Sequence, residues 1–249
     1  MKILGIIPAR YNSSRFPGKP LTDIAGKSMI QRVYEQAKKC ELLSSVFVAT
    51  DDDRIFERVI KFGGQVKMTG KHNSGTERCN ELAQNLEEKF DVVINIQGDE
   101  PCINPEQISQ LATLFSDEDT AIATLAKQIK TANELLNENT VKVVFDENNF
   151  ALNFSRFPIP EPKSFDAEKW FVHNNFYKHI GIYGYRTKVL REICELEQTE
   201  REKTEMKGIM DINKCVQEEH FQFLEYRSKN AATSLLEKTQ PKKDKASDF

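Results

Sequence analysis

Residues 8–21 bring together, in one short segment, the side chains that the binding of a triphosphate requires. Arg10, Arg15 and Lys19 supply positive charge, and a glycine and two prolines around Lys19 shape a turn whose backbone N–H groups can hold phosphate oxygens. The spacing is not that of a Walker loop, GxxxxGK[ST], because Pro20 follows Lys19. These residues predict a phosphate-binding loop, and an ordinary basic surface loop is the alternative.

A second candidate group surrounds Asp99. An apolar segment, residues 92–96, leads directly into the sequence QGDEP, which contains this aspartate. Mg²⁺ commonly takes one or two protein carboxylates and completes its coordination with water and substrate phosphates, so Asp99 is a candidate magnesium ligand. Because aspartate and glycine also dominate turns for conformational reasons, a turn without a metal is the alternative.

A third candidate group is the sequence SGTER, residues 74–78. Ser74 is placed to cap a helix that begins near Gly75, and the free N–H groups at a helix N-terminus can bind an anion or the edge of a base. Capping without a ligand is the alternative. For the acidic run at residues 51–53 we prefer a purely structural interpretation, in which it caps the next helix.

Arg156, His179 and Tyr183 form the fourth candidate group. Arg156 follows a short strand pattern, and His179 and Tyr183 share one side of a segment that alternates apolar and polar residues. A guanidinium can hold both oxygens of a carboxylate, while histidine and tyrosine can hydrogen-bond to hydroxyls. A structural role for the histidine and the tyrosine is the alternative.

The elements that must position these groups alternate along the first half of the chain. The segments that predict strands are residues 3–8, 46–50, 65–68, 92–96 and 121–125. The segments that predict helices are residues 28–40, 53–62, 75–89 and 105–115. This alternation favours an α/β fold with a mainly parallel sheet and helices on both faces. Ligands of such sheets bind at the carboxyl ends of the strands, where the first three candidate groups fall.

After residue 130 the pattern changes. Strand patterns follow one another at residues 141–146, 151–154 and 179–185, and the chain is then helical and highly charged over residues 187–219. We predict one domain over residues 1–249, with an excursion from the main sheet at about 130–195 and an atypical C-terminal segment at about 200–249.

Composition excludes several classes of function. The 35 Lys and Arg residues nearly balance the 38 Asp and Glu residues, which argues against a nucleic-acid partner. No segment approaches the roughly 18–20 apolar residues of a membrane helix, so we expect no membrane insertion. The five scattered cysteines favour free thiols in a reducing cytoplasm. No GxGxxG sequence follows the first strand, which argues against a dinucleotide-dependent oxidoreductase.

Taken together, the motifs resemble one family over roughly residues 2–195. PARYNSSRFPGKPL, ATDDDRI, SGTER, NIQGDEP, KVVFD, ALNFSR and KHIGIYGYR occur in this order. They resemble the 3-deoxy-manno-octulosonate (Kdo) cytidylyltransferases of lipopolysaccharide synthesis. The resemblance implies a Rossmann-like fold of the nucleotide-diphospho-sugar transferase type and a cytoplasmic homodimer with Mg²⁺ as cofactor. Its implied substrates are CTP and an acidic eight-carbon sugar, with CMP-Kdo and pyrophosphate as products.

The resemblance also implies a role for individual residues. The implied catalytic residues are Arg10, Lys19 and Asp99. The implied nucleotide-binding residues are Pro8, Ala9, Arg10, Lys19, Ser74, Gly75, Arg78 and Gln97. The implied sugar-binding residues are Gln97, Arg156, His179 and Tyr183, within an excursion that would also serve dimerisation. The sugar's 2-hydroxyl would attack the α-phosphorus of CTP, a reaction that positioning and charge neutralisation can accelerate without a covalent intermediate.

The C-terminal third departs from the family pattern. Members usually carry a GVDTPEDL-like segment whose aspartate helps to bind the metal, and the nearest match here is LLEKTQP, with Glu237 at that position. Glu237 is therefore the implied second metal ligand beside Asp99. There are two alternatives: another acidic residue supplies the second metal ligand, or the chain has lost catalytic activity. At the level of function, the alternatives are another acidic sugar such as 8-amino-Kdo and a non-catalytic nucleotide- or sugar-binding paralogue.

Overall fold

The computed structural model describes residues 1–12, 16–162 and 170–196 and has an eight-stranded sheet at its centre. The strands are β1 (Ile3–Ala9), β2 (Asp23–Ile24), β3 (Lys27–Ser28), β4 (Ser45–Thr50), β5 (Val66–Met68), β6 (Val92–Asn95), β7 (Ile122–Ile129), β8 (Lys142–Phe145), β9 (Ala151–Ser155) and β10 (Phe176–Arg186). The helices are α1 (Met29–Ala37), α2 (Asp53–Lys61), α3 (Gly75–Asn85), α4 (Pro105–Leu114), α5 (Ala132–Leu136), α6 (Trp170–His173) and α7 (Thr187–Glu195). A 3-10 turn covers Lys19–Leu21, and β2 and β3 form a separate two-stranded sheet.

The main sheet has the order β5-β4-β1-β6-β10-β8-β9, and β7 pairs with the other edge of β10. β1 runs parallel to β4 and β6, and β4 runs parallel to β5. β10 is antiparallel to β6, β7 and β8, and β9 is antiparallel to β8. It follows that only β9 and β10 run against the direction that the other strands of this sheet share. The predicted mainly parallel sheet is confirmed.

Helices cover both faces of this sheet. Ile3, Leu4, Ile6 and Ile7 of β1 are at most 3% exposed, although successive side chains of a strand point to opposite faces. Helix α1 packs with α4, helix α3 packs with α7, and α1 and α3 both contact β1. Burial on both faces explains why the strands at the centre are continuous apolar runs rather than alternating ones.

Side-chain caps define where two of the predicted helices begin. Asp52 is the N-cap of α2 and accepts a hydrogen bond from the backbone N–H of Arg54. Ser74 is the N-cap of α3 and accepts one from Glu77 N–H at 3.1 Å. The predicted capping roles of Ser74 and of the acidic run are therefore confirmed. The caps leave other N–H groups of the first turn available to a ligand.

Other boundaries differ from the sequence prediction. Helix α1 ends at Ala37 and α3 at Asn85, each several residues early, and β10 begins at Phe176 because it pairs along β7. Helix α5 and the β2–β3 hairpin were not predicted. The single-domain assignment stays a prediction, because the segment after residue 196 lies outside the described residues.

Two further findings concern the described residues only. Cys40, Cys79, Cys102 and Cys194 are free thiols. No helix in the described ranges combines the length and the apolar character needed to cross a bilayer.

Candidate active site

Two adjoining cavities lie at the carboxyl ends of β1 and β6. The smaller, of about 460 Å³, is lined by residues that follow these two strands, and we call it the loop cavity. The larger, of about 720 Å³, extends from the start of α3 to β10, and we call it the strand cavity. Arg10, Gln97 and Asp99 line both cavities. Ligands bound in the two cavities would therefore meet at these three side chains.

The loop cavity contains the residues predicted from the first two motifs. Its lining includes Pro8, Ala9, Arg10, Lys19, Gln97 and Asp99. Lys19 Nζ lies 2.5 Å from Asp99 Oδ2, and the two side chains are 36% and 51% exposed. An ion pair this exposed to water contributes little free energy, so either partner can be redirected to a ligand. A redirected lysine can bind a phosphate, and a redirected aspartate can bind a cation.

Two glycines allow the loops around this cavity to approach each other. A β-carbon on Gly98 would lie 3.0 Å from the carbonyl oxygen of Pro8, so the segment after β6 packs directly on the end of β1. Gly18 has a φ of +72°, which favours glycine, and its N–H donates to the carbonyl of Tyr11 at 2.8 Å. This hydrogen bond closes the loop that carries Arg10 and Lys19.

A residue from α2 braces the same loop. The guanidinium carbon of Arg54 lies 3.2 Å from the centroid of the Tyr11 ring, a cation–π contact. Asp52 holds Arg54 through two hydrogen bonds, of 2.9 and 2.6 Å. The ATDDDRI motif thus has a role beyond capping that the sequence analysis missed. Nothing in the local sequence signals a contact between residues this far apart.

The strand cavity contains most of the other predicted residues. Ser74, Gly75, Gln97, His179 and Tyr183 line it. A β-carbon on Gly181 of β10 would lie 3.8 Å from the side chain of Gln97, so the glutamine reaches across to this strand. The cavity is also lined by Asn73, Asn95, Glu100, Asn139 and Lys178, which the sequence analysis did not select.

His179 is held in one tautomer. Its Nε2 lies 2.9 Å from Thr124 Oγ1, whose own hydrogen is donated to the carbonyl of Ile180 at 3.0 Å. Because the hydroxyl has a single hydrogen, Nε2 must be the donor, and Nδ1 carries the lone pair. Desolvation lowers the pKa of His179 to about 3, so the ring is neutral near pH 7. The ring packs against that of Tyr183, with centroids 5.3 Å apart.

Arg78 is not among the residues that line either cavity. Its side chain is 4% exposed, forms an ion pair with Asp51 at 3.1 Å and donates to Thr69 Oγ1 at 2.6 Å. It also donates to the carbonyl of Gly70 at 3.3 Å, and thereby holds the segment that leads to α3. Its predicted contact with the nucleotide stays a prediction.

Arg156 is exposed beside the strand cavity rather than in its lining. It donates to the carbonyl of Glu138 at 3.0 Å, next to the segment of residues 139–141 that lines the cavity. Lys142 is fully buried and donates to the carbonyls of Asn137 and Arg156, at 2.8 and 2.6 Å. Desolvation lowers the pKa of Lys142. This lysine ties Arg156 to the cavity wall, and its place in an otherwise apolar strand was the signal that the sequence analysis did not use.

A family model described as cytidylyltransferase matches residues 4–231. The chain belongs to this family. Among curated relatives, a 3-deoxy-manno-octulosonate cytidylyltransferase from Parabacteroides distasonis is 53% identical over 210 residues, with 82% of this chain and 83% of the relative covered. One from Cytophaga hutchinsonii is 47% identical over 207 residues, with 82% of each chain covered.

Solved structures agree with this membership of the cytidylyltransferases. A CMP:2-keto-3-deoxy-manno-octonic acid synthetase complexed with CTP is 38% identical, has a TM-score of 0.78 and matches over 96% of both chains. A cytidylyltransferase from Leptospira borgpetersenii is 18% identical with a TM-score of 0.56, over 92% of this chain and 77% of that one, and supports the fold alone. The predicted Rossmann-like nucleotidyltransferase fold is confirmed.

The acidic residues of this cytidylyltransferase fit a metal that arrives with its substrate. Within the described ranges, no group of three or more His, Cys, Asp and Glu residues is placed to hold a metal alone. Asp99 offers a half-exposed carboxylate. The pKa of the neighbouring Glu100 is raised, mainly by burial and secondly by the charge of Asp99. Mg²⁺ needs one or two carboxylates when phosphates supply other ligands, so the donor set fits. Glu237 lies outside the described residues.

Proposed function

We propose that this chain is a Kdo cytidylyltransferase of lipopolysaccharide synthesis, which transfers CMP from CTP to Kdo and releases pyrophosphate. The observation that carries the proposal is the pair of cavities that meet at Arg10, Gln97 and Asp99. A transfer between two substrates needs two sites that share a border. The family and the names of its relatives supply the identity of the substrates.

The nucleotide occupies the loop cavity and its border. Arg10 and Lys19 would bind the triphosphate. Ser74 and Gly75, at the start of α3, line the strand cavity, and Gly75 adjoins Pro8 of the loop cavity. Exposed cations suit this role because they can follow the departing pyrophosphate. Arg78 acts here by holding the segment before α3, through Asp51 and Gly70.

The acidic sugar occupies the strand cavity. The neutral His179 offers the Nδ1 lone pair to a hydroxyl of the sugar, and Tyr183 beside it offers a phenol group. Arg156 binds the carboxylate through its planar fork once it leaves the carbonyl of Glu138. These groups orient the 2-hydroxyl toward the border where the α-phosphate lies.

Asp99 holds the magnesium ion in this proposal, with Glu237 as a second ligand. A bound Mg²⁺ would supply positive charge that neutralises the charge developing on the phosphates. Lys19, which is paired with Asp99 in the structure, would bind the phosphates itself.

The protein acts as a cytoplasmic homodimer in this proposal. Four of the exposed apolar side chains in the described residues lie in the excursion, where Leu136, Leu152, Phe157 and Val172 are 53%, 46%, 70% and 67% exposed. A second copy of the chain is the partner that would cover them. The free cysteines fit a reducing compartment that contains CTP.

The test is pyrophosphate release in the presence of Mg²⁺, with the four nucleoside triphosphates and a panel of 2-keto-3-deoxy sugars that includes Kdo and 8-amino-Kdo. We expect the highest rate with CTP and Kdo. Calorimetry with the same two compounds separates the alternatives. Tight binding of both without pyrophosphate release would identify a non-catalytic paralogue and overturn the proposal.

A further inference from the structure

Asn95 carries a buried amide oxygen without a partner. The residue is 2% exposed, and its Oδ1 has no hydrogen-bond partner in the structure. It ends β6, whose other residues, Val92, Val93 and Ile94, are apolar and fully buried. An unsatisfied buried acceptor lowers stability, and valine or leucine would fill this position without that penalty. Because Asn95 also lines the strand cavity, a ligand in that cavity is a candidate donor for this oxygen.

The surroundings of Asn95 show where that partner binds. Asn95 lines the strand cavity, and it shares a face of the chain with Gln97, which lines both cavities. A β-carbon on Gly75 would lie 3.7 Å from Asn95 Nδ2 and 3.2 Å from Pro8, so the amide adjoins the start of α3 and the end of β1. On its other side, Asn95 is paired with Tyr183 of β10. It therefore lies between the proposed nucleotide and sugar positions.

We infer that Asn95 contacts the substrates directly and accepts a hydrogen bond from one of their sugar hydroxyls. The inference rests on the proposed function and adds a residue that determines specificity at its site. The unpaired Oδ1 of Asn95 needs a hydrogen-bond donor. A sugar hydroxyl fits because it can donate to Oδ1, and it carries no charge whose burial would be costly. The hydroxyl belongs either to the ribose of the nucleotide or to the acidic sugar.

Asn80 offers a matched control. Its Oδ1 is also buried without a partner, but Asn80 lies on α3 and is not among the residues that line the two cavities. Replacing either asparagine by leucine removes one amide and keeps the number and branching of the side-chain heavy atoms. A difference between the two variants therefore reports the contact with substrate rather than the loss of a buried polar group.

The experiment compares Asn95→Leu with Asn80→Leu in steady-state kinetics with CTP, 2′-deoxy-CTP, 3′-deoxy-CTP and Kdo. For Asn95→Leu we expect kcat/KM to fall about tenfold for the substrate that supplies the hydroxyl, which is the effect of one lost hydrogen bond. If the ribose supplies it, the wild type favours CTP over one of the deoxy analogues and the variant does not. If the acidic sugar supplies it, only the KM for Kdo rises. Asn80→Leu should change neither value.

Asn95→Ala, which is smaller and has no side-chain acceptor, replaces the leucine variant if thermal unfolding shows that the latter is not folded. A folded Asn95 variant with unchanged KM values, or with the same kinetic loss as Asn80→Leu, overturns the inference. If the wild type releases no pyrophosphate, the proposed function fails on its own. Calorimetric binding of the same compounds to wild type and variant then still decides whether Asn95 contacts a hydroxyl.

Discussion

The loop cavity and the strand cavity share Arg10, Gln97 and Asp99 but are built in different ways. The loop cavity uses charges at the ends of parallel strands, and its central ion pair, Lys19 with Asp99, is largely exposed. The strand cavity is lined mostly by uncharged groups on and around the antiparallel strand β10, such as the desolvated His179. Exposed charges can be removed with little effect on stability, whereas buried polar groups are coupled to the fold.

This difference predicts that substitutions in the two cavities have different effects on turnover and on stability. Substitutions in the loop cavity should reduce turnover and leave stability nearly unchanged. Substitutions around the strand cavity should change sugar binding, stability or both.

Asp99→Asn should cut turnover by about two to four decades, equivalent to about 3–5 kcal/mol of transition-state stabilisation. The substitution keeps the size of the side chain and removes the charge that binds Mg²⁺. The measurements are kcat for pyrophosphate release and the midpoint of thermal unfolding, which should not change. Asp53→Asn, an exposed acid in the first turn of α2, is the control. Near-normal turnover of Asp99→Asn at saturating Mg²⁺ would show that Asp99 is only a turn residue.

Arg156→Lys should weaken the transition-state complex by about 1.5–3 kcal/mol through a higher KM for the sugar, with the KM for CTP nearly unchanged. The variant keeps the charge but loses the planar fork that fits a carboxylate. Arg191→Lys on α7, half-exposed and remote from both cavities, is the matched control. Equal weakening of CTP and sugar would place Arg156 at the phosphates or in the scaffold instead.

Lys142→Met should lower the free energy of unfolding by about 1–3 kcal/mol, because the carbonyls of Asn137 and Arg156 lose their buried donor. Urea unfolding measures this loss. Lys127→Met, at an exposed lysine of β7, is the control and should have little effect. A Lys142 variant as stable as the wild type would mean that removing the desolvated charge offsets the lost hydrogen bonds.

His179→Gln should change how stability depends on pH. The pKa of His179 is lowered from 6.5 to about 3, so the unfolded chain takes up a proton below about pH 6.5 that the folded chain does not. The wild type should therefore lose stability relative to the variant as the pH falls through this window, by up to about 1.4 kcal/mol per pH unit. Urea unfolding at about pH 7 and about pH 5 measures the difference. Parallel curves for the two proteins would mean that His179 is accessible to protons.

The contrast between the cavities also explains how much the sequence predicts. Pro8 and Ala9 end a strand, and Arg10, Lys19 and Asp99 follow strands, whose apolar runs are visible in the sequence, so the rule for parallel sheets places them together. The site on β10 depends on pairing between distant segments. Thr124 fixes His179 across 55 positions of sequence, and a register shift falls between Ile180 and Tyr183. No local pattern reports such a register.

Two polar residues within apolar strands carry information that the sequence analysis did not use. Asn95 ends a buried run and Lys142 begins one; they are the first residues of the motifs NIQGDEP and KVVFD, but neither was selected as a candidate site residue. A polar residue inside a fully buried strand requires a partner, and this requirement follows from the apolar pattern of the sequence alone. Which partner it has depends on the tertiary arrangement.

The proposed function requires that the two cavities form one active site in which the sugar hydroxyl attacks the α-phosphorus of CTP. ³¹P NMR of the reaction of CTP and Mg²⁺ with Kdo labelled with ¹³C at C2 detects this new bond. We expect a new phosphodiester resonance that is split by coupling to the labelled carbon, together with pyrophosphate. Unchanged CTP, or free CMP without a coupled resonance, would contradict it.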